Sequence, residues 1–184
     1  MRLGTRVAAA LLVGSLVAAT PSYAAPAPVD RPAVIERVVI GHSVQGRPIT
    51  AWHLGQPGKQ RVLLISTMHG DEGKPRQILG ALRDGRPIRG VDLWVVPVYN
   101  PDGLARGTRK NAHGVDLNRN FPYRWADLDG SYESGQRPGS EPETRALAAL
   151  VDDTVEGVVA VHAPFACVNY DGPAAAWAEA IAVS

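Results

Sequence analysis

Hydrophobic positions along this chain fall into short clusters separated by polar turns. Val34–Ile40 is mostly apolar, Gln45-Gly46 supplies a turn, and Ile49–Leu54 resumes the apolar pattern, which predicts an N-terminal hairpin. Val62-Leu63-Leu64-Ile65 follows, a short unbroken run of the kind found in strands covered on both faces. Leu93–Val98 is a second such run and Val155–Val161 a third. Between them the pattern predicts one helix over 75–83 and another over 141–151. The latter opens with Ser140-Glu141-Pro142-Glu143, where Ser140 can cap, Pro142 suits the first turn and the acids complement the helix dipole. The Ala-rich stretch Pro173–Val183 predicts a last, amphipathic helix on the surface.

Strands alternating with helices predict an α/β fold, a single domain with a mostly parallel or mixed central sheet flanked by helices. Ligand sites in such sheets lie beyond the carboxyl ends of the strands. Polar residues should therefore gather just after each buried run, and they do. Ser66-Thr67-Met68-His69-Gly70-Asp71-Glu72 follows the first run, Tyr99-Asn100-Pro101-Asp102-Gly103 the second, and His162 the third.

Composition changes this picture mainly at the N-terminus. Arg2 and Arg6 precede the 13-residue apolar run Val7–Ala19 and then Ser22-Tyr23-Ala24, with small residues at alternate positions. This predicts a secretory signal over residues 1–24, cleaved after Ala24, because the run is short of the roughly 20 residues that span a bilayer. Residues 25–33, rich in Pro and Ala, read as a linker, and 34–184 as the domain. The expectation is an exported protein, extracellular or associated with the cell wall, with no membrane anchor after cleavage. Losing Arg2 and Arg6 and no acid moves the formal net charge from +1 to −1. No concentrated basic face remains, which argues against a nucleic-acid partner. Cys167 is the only cysteine, so no internal disulfide is available. It reads as a small residue in an apolar strand rather than as a ligand or nucleophile.

The candidate chemistry begins with His69 and Glu72, three residues apart where a strand gives way to a helix. A catalytic zinc ion takes three protein ligands and keeps one position open, and two His with one Glu is a standard set. Spacing alone leaves open a loop histidine beside a solvated glutamate. His162 strengthens the pair, since it ends another strand at the same sheet edge, although a lone histidine there also reads as a hydrogen-bonded core residue. His42 and His53 in the hairpin, and His113 in a polar loop, read as surface residues.

The most informative segment runs Asn100-Pro101-Asp102-Gly103, Arg109-Lys110-Asn111, then Gly114-Val115-Asp116-Leu117-Asn118-Arg119-Asn120-Phe121-Pro122. With His69-Gly70-Asp71-Glu72, it resembles the zinc carboxypeptidases of the carboxypeptidase A type. Within that family it is similar to the small bacterial murein peptide amidases, which cut cell-wall peptides. The likeness runs from about Ile40 to Trp177. It implies that His69, Glu72 and His162 bind one zinc ion, that Arg109 polarises the scissile carbonyl, and that Asn118 and Arg119 take the substrate's terminal carboxylate. It also implies that Asp116 stands behind His69. Physics supports the roles: a guanidinium fork matches a carboxylate, a fixed cation suits developing negative charge, and a carboxylate fixes an imidazole tautomer. On the residues alone, Arg109 also reads as a solvated charge, Asp116 as a turn cap and Asn118 as an Asx-turn residue. Asn100–Gly103 reads as a turn, and Gly135–Thr144 as structural.

The family also carries, well after its second zinc histidine, a tyrosine over the substrate and a glutamate on a late strand that serves as general base. This sequence stops at Ser184 and offers no match to that glutamate. Glu179, the one acid after Asp171, falls in the Ala-rich helix and is not assigned as base. The resemblance thus implies a domain lacking its C-terminal part, with an exposed sheet edge and heavily reduced catalysis, since a positioned base contributes about 10²–10⁴ in rate. The expected function is hydrolysis of a peptide or amide bond next to a terminal carboxylate. The alternative is a non-catalytic protein that binds zinc and cell-wall peptides, or an inactive fragment.

Overall fold

The computed structural model describes residues 33–151, 154–163, 169 and 175–182, with nothing said of the Trp177 side chain. The predicted signal, most of the linker and Cys167 lie outside the described residues. Strands β1 (Val34–His42) and β2 (Pro48–Gly55) form the predicted hairpin, turning at Gly46 with φ of 77°. β3 (Arg61–Ser66), α1 (Arg76–Arg83), β4 (Asp92–Val96) and the short α2 (Pro101–Arg106) follow. Single 3₁₀ turns at Leu117–Arg119 and Gly130–Tyr132 lead to α3 (Pro142–Leu150), β5 (Val155–Val161) and α4 (Ala175–Ala182).

The five strands make one sheet in the order β1-β2-β4-β3-β5. β3 is parallel to both β4 and β5, while β2 is antiparallel to β1 and β4. The sheet is thus mixed rather than mostly parallel, because the hairpin brings its own antiparallel pairing. Side chains alternate between two apolar layers. Ile49, Ala51, Leu63, Ile65 and Val96 pack with Ala146 and Leu147 of α3, and Leu54, Leu93 and Val95 pack with Leu79 of α1. A helix therefore covers each face, and each fully buried Leu or Ile stabilises the fold by about 1.5–3 kcal/mol. Among the described residues no helix is long and apolar enough to cross a membrane.

Four expectations need correction. β5 is not buried on both faces: its residues alternate between half-buried and exposed, with Val158 46% exposed. Among the described residues it pairs with β3 alone, at the end of the sheet. Ser140 does not cap α3; Glu141 occupies that position, while Ser140 Oγ donates to Glu141 Oε1 at 2.7 Å and accepts from Asn120 Nδ2 at 2.9 Å. Asn100–Gly103 is a helix start, not a turn, since Asn100 Oδ1 accepts the Gly103 N–H at 2.8 Å and Pro101 takes the first position of α2. His53 is buried, with Nε2 2.5 Å from Asp92 Oδ1 and its ring stacked on Trp94 at 4.4 Å. His42 and His113 are exposed as expected.

Candidate metal centre

The site is built where β3 ends. Ser66 and Thr67 both donate to the Pro97 carbonyl, and their own carbonyls accept the Tyr99 and Asn100 N–H groups, which fastens the strand's exit to the segment after β4. Thr67 is held at φ 57°, an uncommon conformation for a β-branched residue, and such a cost of about 1–3 kcal/mol persists only where the surroundings over-determine it. Gly70 lies so close to α2 that an added Cβ would fall 1.9 Å from the Gly103 carbonyl carbon. His69 and Glu72 are thereby aimed over the carboxyl ends of β3 and β4.

His162, the first residue after β5, reaches the same place although it is 90 positions from Glu72. His69 Nδ1 lies 2.9 Å from Glu72 Oε1, and His162 Nδ1 lies 2.9 Å from Glu72 Oε2. One ligand atom from each of the three residues falls within 4.8 Å of the others. The Ala163 N–H also donates to Glu72 Oε2, at 3.2 Å.

The hydrogen bonds on the far side of His69 say what this cluster accepts. Asp116 Oδ1 sits 3.0 Å from His69 Nε2 and can only accept, so Nε2 carries a proton. Arg109 Nη1 lies 3.3 Å from His69 Nδ1 and can only donate, so in the neutral ring Nδ1 offers its lone pair. That nitrogen also faces a Glu72 oxygen at 2.9 Å, an arrangement that needs a cation between them or, in its place, a proton on Nδ1 that donates to Glu72. Burial pushes the His69 imidazole down, but the bonds with Asp116 and Glu72 outweigh it and raise its pKa above the ordinary value. Burial pushes the Glu72 and Asp116 carboxyls up, yet the bonds with His69 hold both below the usual carboxylate range, Arg109 adding to the effect at Asp116. Two imidazoles and a carboxylate, one imidazole backed by a second carboxylate, fit a zinc ion.

Asp116 is fully buried and does two jobs, for its Oδ1 also accepts the Asn118 N–H at 3.0 Å and so starts the 3₁₀ turn. Asp116 thus meets the His69 ring and also starts the turn, and Asp116 rather than Asn118 makes the Asx bond. Asp116 Oδ2 takes Arg109 Nε at 3.0 Å and Nη2 at 2.8 Å, so Arg109 is a held cation beside the cluster and not a solvated charge. Asn118 is exposed; Arg119 donates to the Asn118 carbonyl at 3.4 Å and has no carboxylate partner among the described residues. Gly135–Thr144 is structural as expected, with Glu141 and Glu143 buried against the Asn111 amide at 2.8 and 3.1 Å. Asn111 in turn accepts the Val115 N–H, which places Asp116. Glu179 is exposed on α4. The sequence missed Tyr132, whose ring lies 5.5 Å from the Arg109 guanidinium and 5.3 Å from that of Arg119.

Comparison with known proteins gives the same direction. The family model described as zinc carboxypeptidase matches residues 27–173. Murein peptide amidase A of Escherichia coli (strain K12) is 38% identical over 145 residues, which cover 70% of this chain and 60% of that protein. Carboxypeptidase E of Caenorhabditis elegans is 34% identical over 148 residues, covering 64% of this chain and 30% of that one. Among solved structures, murein-tripeptide amidase from Escherichia coli O157 superposes with a TM-score of 0.59 at 36% identity, covering 71% of this chain and 62% of that chain. Carboxypeptidase A from Helicoverpa armigera has a TM-score of 0.69 at 24% identity, over 82% of this chain and 47% of that chain, and shares the fold. The chain thus spans 60% of the length of the Escherichia coli amidase it matches.

Proposed function

The chain belongs to the zinc carboxypeptidase family, and from that premise we propose that it is a zinc-dependent hydrolase of peptide or amide bonds next to a terminal carboxylate. One observation carries the reading: His69, Glu72 and His162 converge their ligand atoms beside a held cation, Arg109, with a second cation, Arg119, that has no carboxylate partner among the described residues. In this reading the cluster holds one zinc ion. Zinc, when bound, supplies a Lewis acid that polarises a carbonyl and activates water. Asp116 keeps the His69 ring in one tautomer and orientation, so that Nδ1 is free to ligate. Arg109, fixed on Asp116, offers charge to a carbonyl oxygen as it gains negative charge. Arg119 and Asn118 receive the terminal carboxylate, the guanidinium fork fixing the substrate's direction. The likeness to murein peptide amidases supports a cell-wall peptide as substrate, and the leader-like pattern over residues 1–24 supports export to meet it.

A second reading, a protein that binds zinc and peptide without turnover, is favoured by one feature. Among the described residues the carboxylates at the cluster are Glu72 and Asp116, both engaged with the histidines. Hydrolysis of a γ-D-glutamyl-diaminopimelate peptide by the purified protein, with and without a chelator, separates the two. Turnover that chelation abolishes and zinc restores is the expected result. Turnover that survives chelation overturns zinc catalysis, and tight zinc and peptide binding without turnover selects the second reading.

A further inference from the structure

Tyr132 joins the two cations of the site, and we infer that it is a positioning residue that holds Arg109 and Arg119 as a pair for a substrate carboxylate and carbonyl. The inference rests on the peptidase reading above and assigns a role to a residue outside it. Tyr132 is 52% exposed, so no core packing explains its place, and its hydroxyl makes no hydrogen bond among the described residues. Its π-face is what the neighbours use, with Arg109 Cζ 5.5 Å and Arg119 Cζ 5.3 Å from the ring centre. Both are inside the range of about 6 Å over which a ring quadrupole attracts a cation.

The platform is anchored on both sides. The Gly130 carbonyl accepts Lys110 Nζ, next to Arg109, and the Glu133 carbonyl accepts the Asp116 N–H at 2.8 Å. The segment carrying Tyr132 is therefore tied to the loop that carries Arg109 and Asp116. Gly130, at φ 64°, lets the chain turn there. Arg109 would stay in place without the ring, because Asp116 takes its Nε and Nη2. Arg119 would not: its other contact is a 3.4 Å bond to the preceding carbonyl. A long side chain carries rotamer entropy that must be lost to grip a carboxylate, and a ring that pre-orders the guanidinium removes part of that cost. Two like-charged groups also repel, and attraction of both to one ring offsets part of that repulsion.

The test uses the full chain loaded with zinc, and equilibrium binding rather than turnover. Affinities are measured for an N-acyl dipeptide with a free terminal carboxylate and for its terminal amide, together with zinc content. The wild type should prefer the carboxylate. In Tyr132→Leu that preference should fall by about tenfold, with amide affinity and zinc content unchanged, and Tyr132→Phe should restore it. A wild type without carboxylate preference overturns the carboxylate-binding reading itself. A wild-type preference that Tyr132→Leu keeps, or that Tyr132→Phe fails to restore, overturns the role of Tyr132 alone. Equal losses for both ligands with lost zinc mark a merely structural residue, which also overturns it.

Discussion

The two histidines of the cluster stand in opposite surroundings. His69 is 3% exposed and is met by Asp116, Glu72 and Arg109. It leaves a strand whose exit is bolted to α2 through Asn100 and the close approach of Gly70. The His162 side chain is 32% exposed, follows β5, the end strand among the described residues, and meets the cluster through Glu72. The same ligand chemistry is thus delivered once by an over-determined frame and once by an edge. Metal affinity should depend on both histidines, and the stability of the metal-free fold on one.

The largest effects test that contrast. His69→Ala and His162→Ala should each weaken zinc binding more than about 100-fold, beyond what loss of an outer partner causes, because a three-ligand site loses a ligand. Metal-free unfolding should separate them. His69→Ala leaves the buried Asp116 without one partner and should cost about 1–3 kcal/mol. His162→Ala should stay within about 0.5 kcal/mol. Competition titration with a chromophoric chelator gives the first quantity and denaturant unfolding the second. Equal stability losses would break the comparison, since His162 would then be as deeply built in as His69.

Asp116→Asn probes the frame itself and should have a smaller effect. The amide keeps the shape but can turn an N–H toward His69 Nε2 and disturb the tautomer that frees Nδ1. Zinc affinity should fall by about 10–100-fold, the range for partners that orient a ligating histidine. Arg109 also loses its counter-charge, so its guanidinium should become more reactive toward a dicarbonyl reagent. Zinc affinity within a factor of two of wild type would show that Asp116 serves the 3₁₀ turn and not the metal.

How much of this was legible beforehand follows the same divide. The runs 62–65 and 93–98, and the polar residues after them, located the frame, because burial and strand exits leave a local pattern. The run 155–161 carries that pattern too, yet among the described residues β5 pairs on one side only: apolar composition states a preference and does not reveal which neighbours a strand will have. His53 was readable, since it shares a face with Ile49 and Ala51 by strict alternation, and its burial follows from that parity. The pairing of His69 with Asp116 spans 47 residues and has no local signature, so only the likeness to a family pointed there. Tyr132 lies in a Gly- and Asp-bearing loop without periodicity, where nothing in the sequence marks a platform for two guanidinium groups.

The smallest predicted effect lies beneath the frame. Asp102 is fully buried at the start of α2 and accepts from Ser43 Oγ at 2.9 Å, the Gln45 N–H at 2.9 Å and Arg47 Nη1 at 2.5 Å, fastening the hairpin turn to the helix that supports His69. Burial pushes its carboxyl up, but these donors outweigh it and hold the pKa below the ordinary value. The sign follows: a folded-state pKa below the unfolded one means that Asp102 contributes stability above the unfolded value, near pH 4, and that this is lost as pH falls through the folded one. Asp102→Asn should therefore flatten the acid limb of unfolding midpoint against pH while destabilising the protein at neutral pH, where the ionised partner set is complete. An acid limb of unchanged slope would show that the frame is held by packing at Gly70 and Gly103 rather than by this charge, and would move the source of His69's rigidity from electrostatics to close contact.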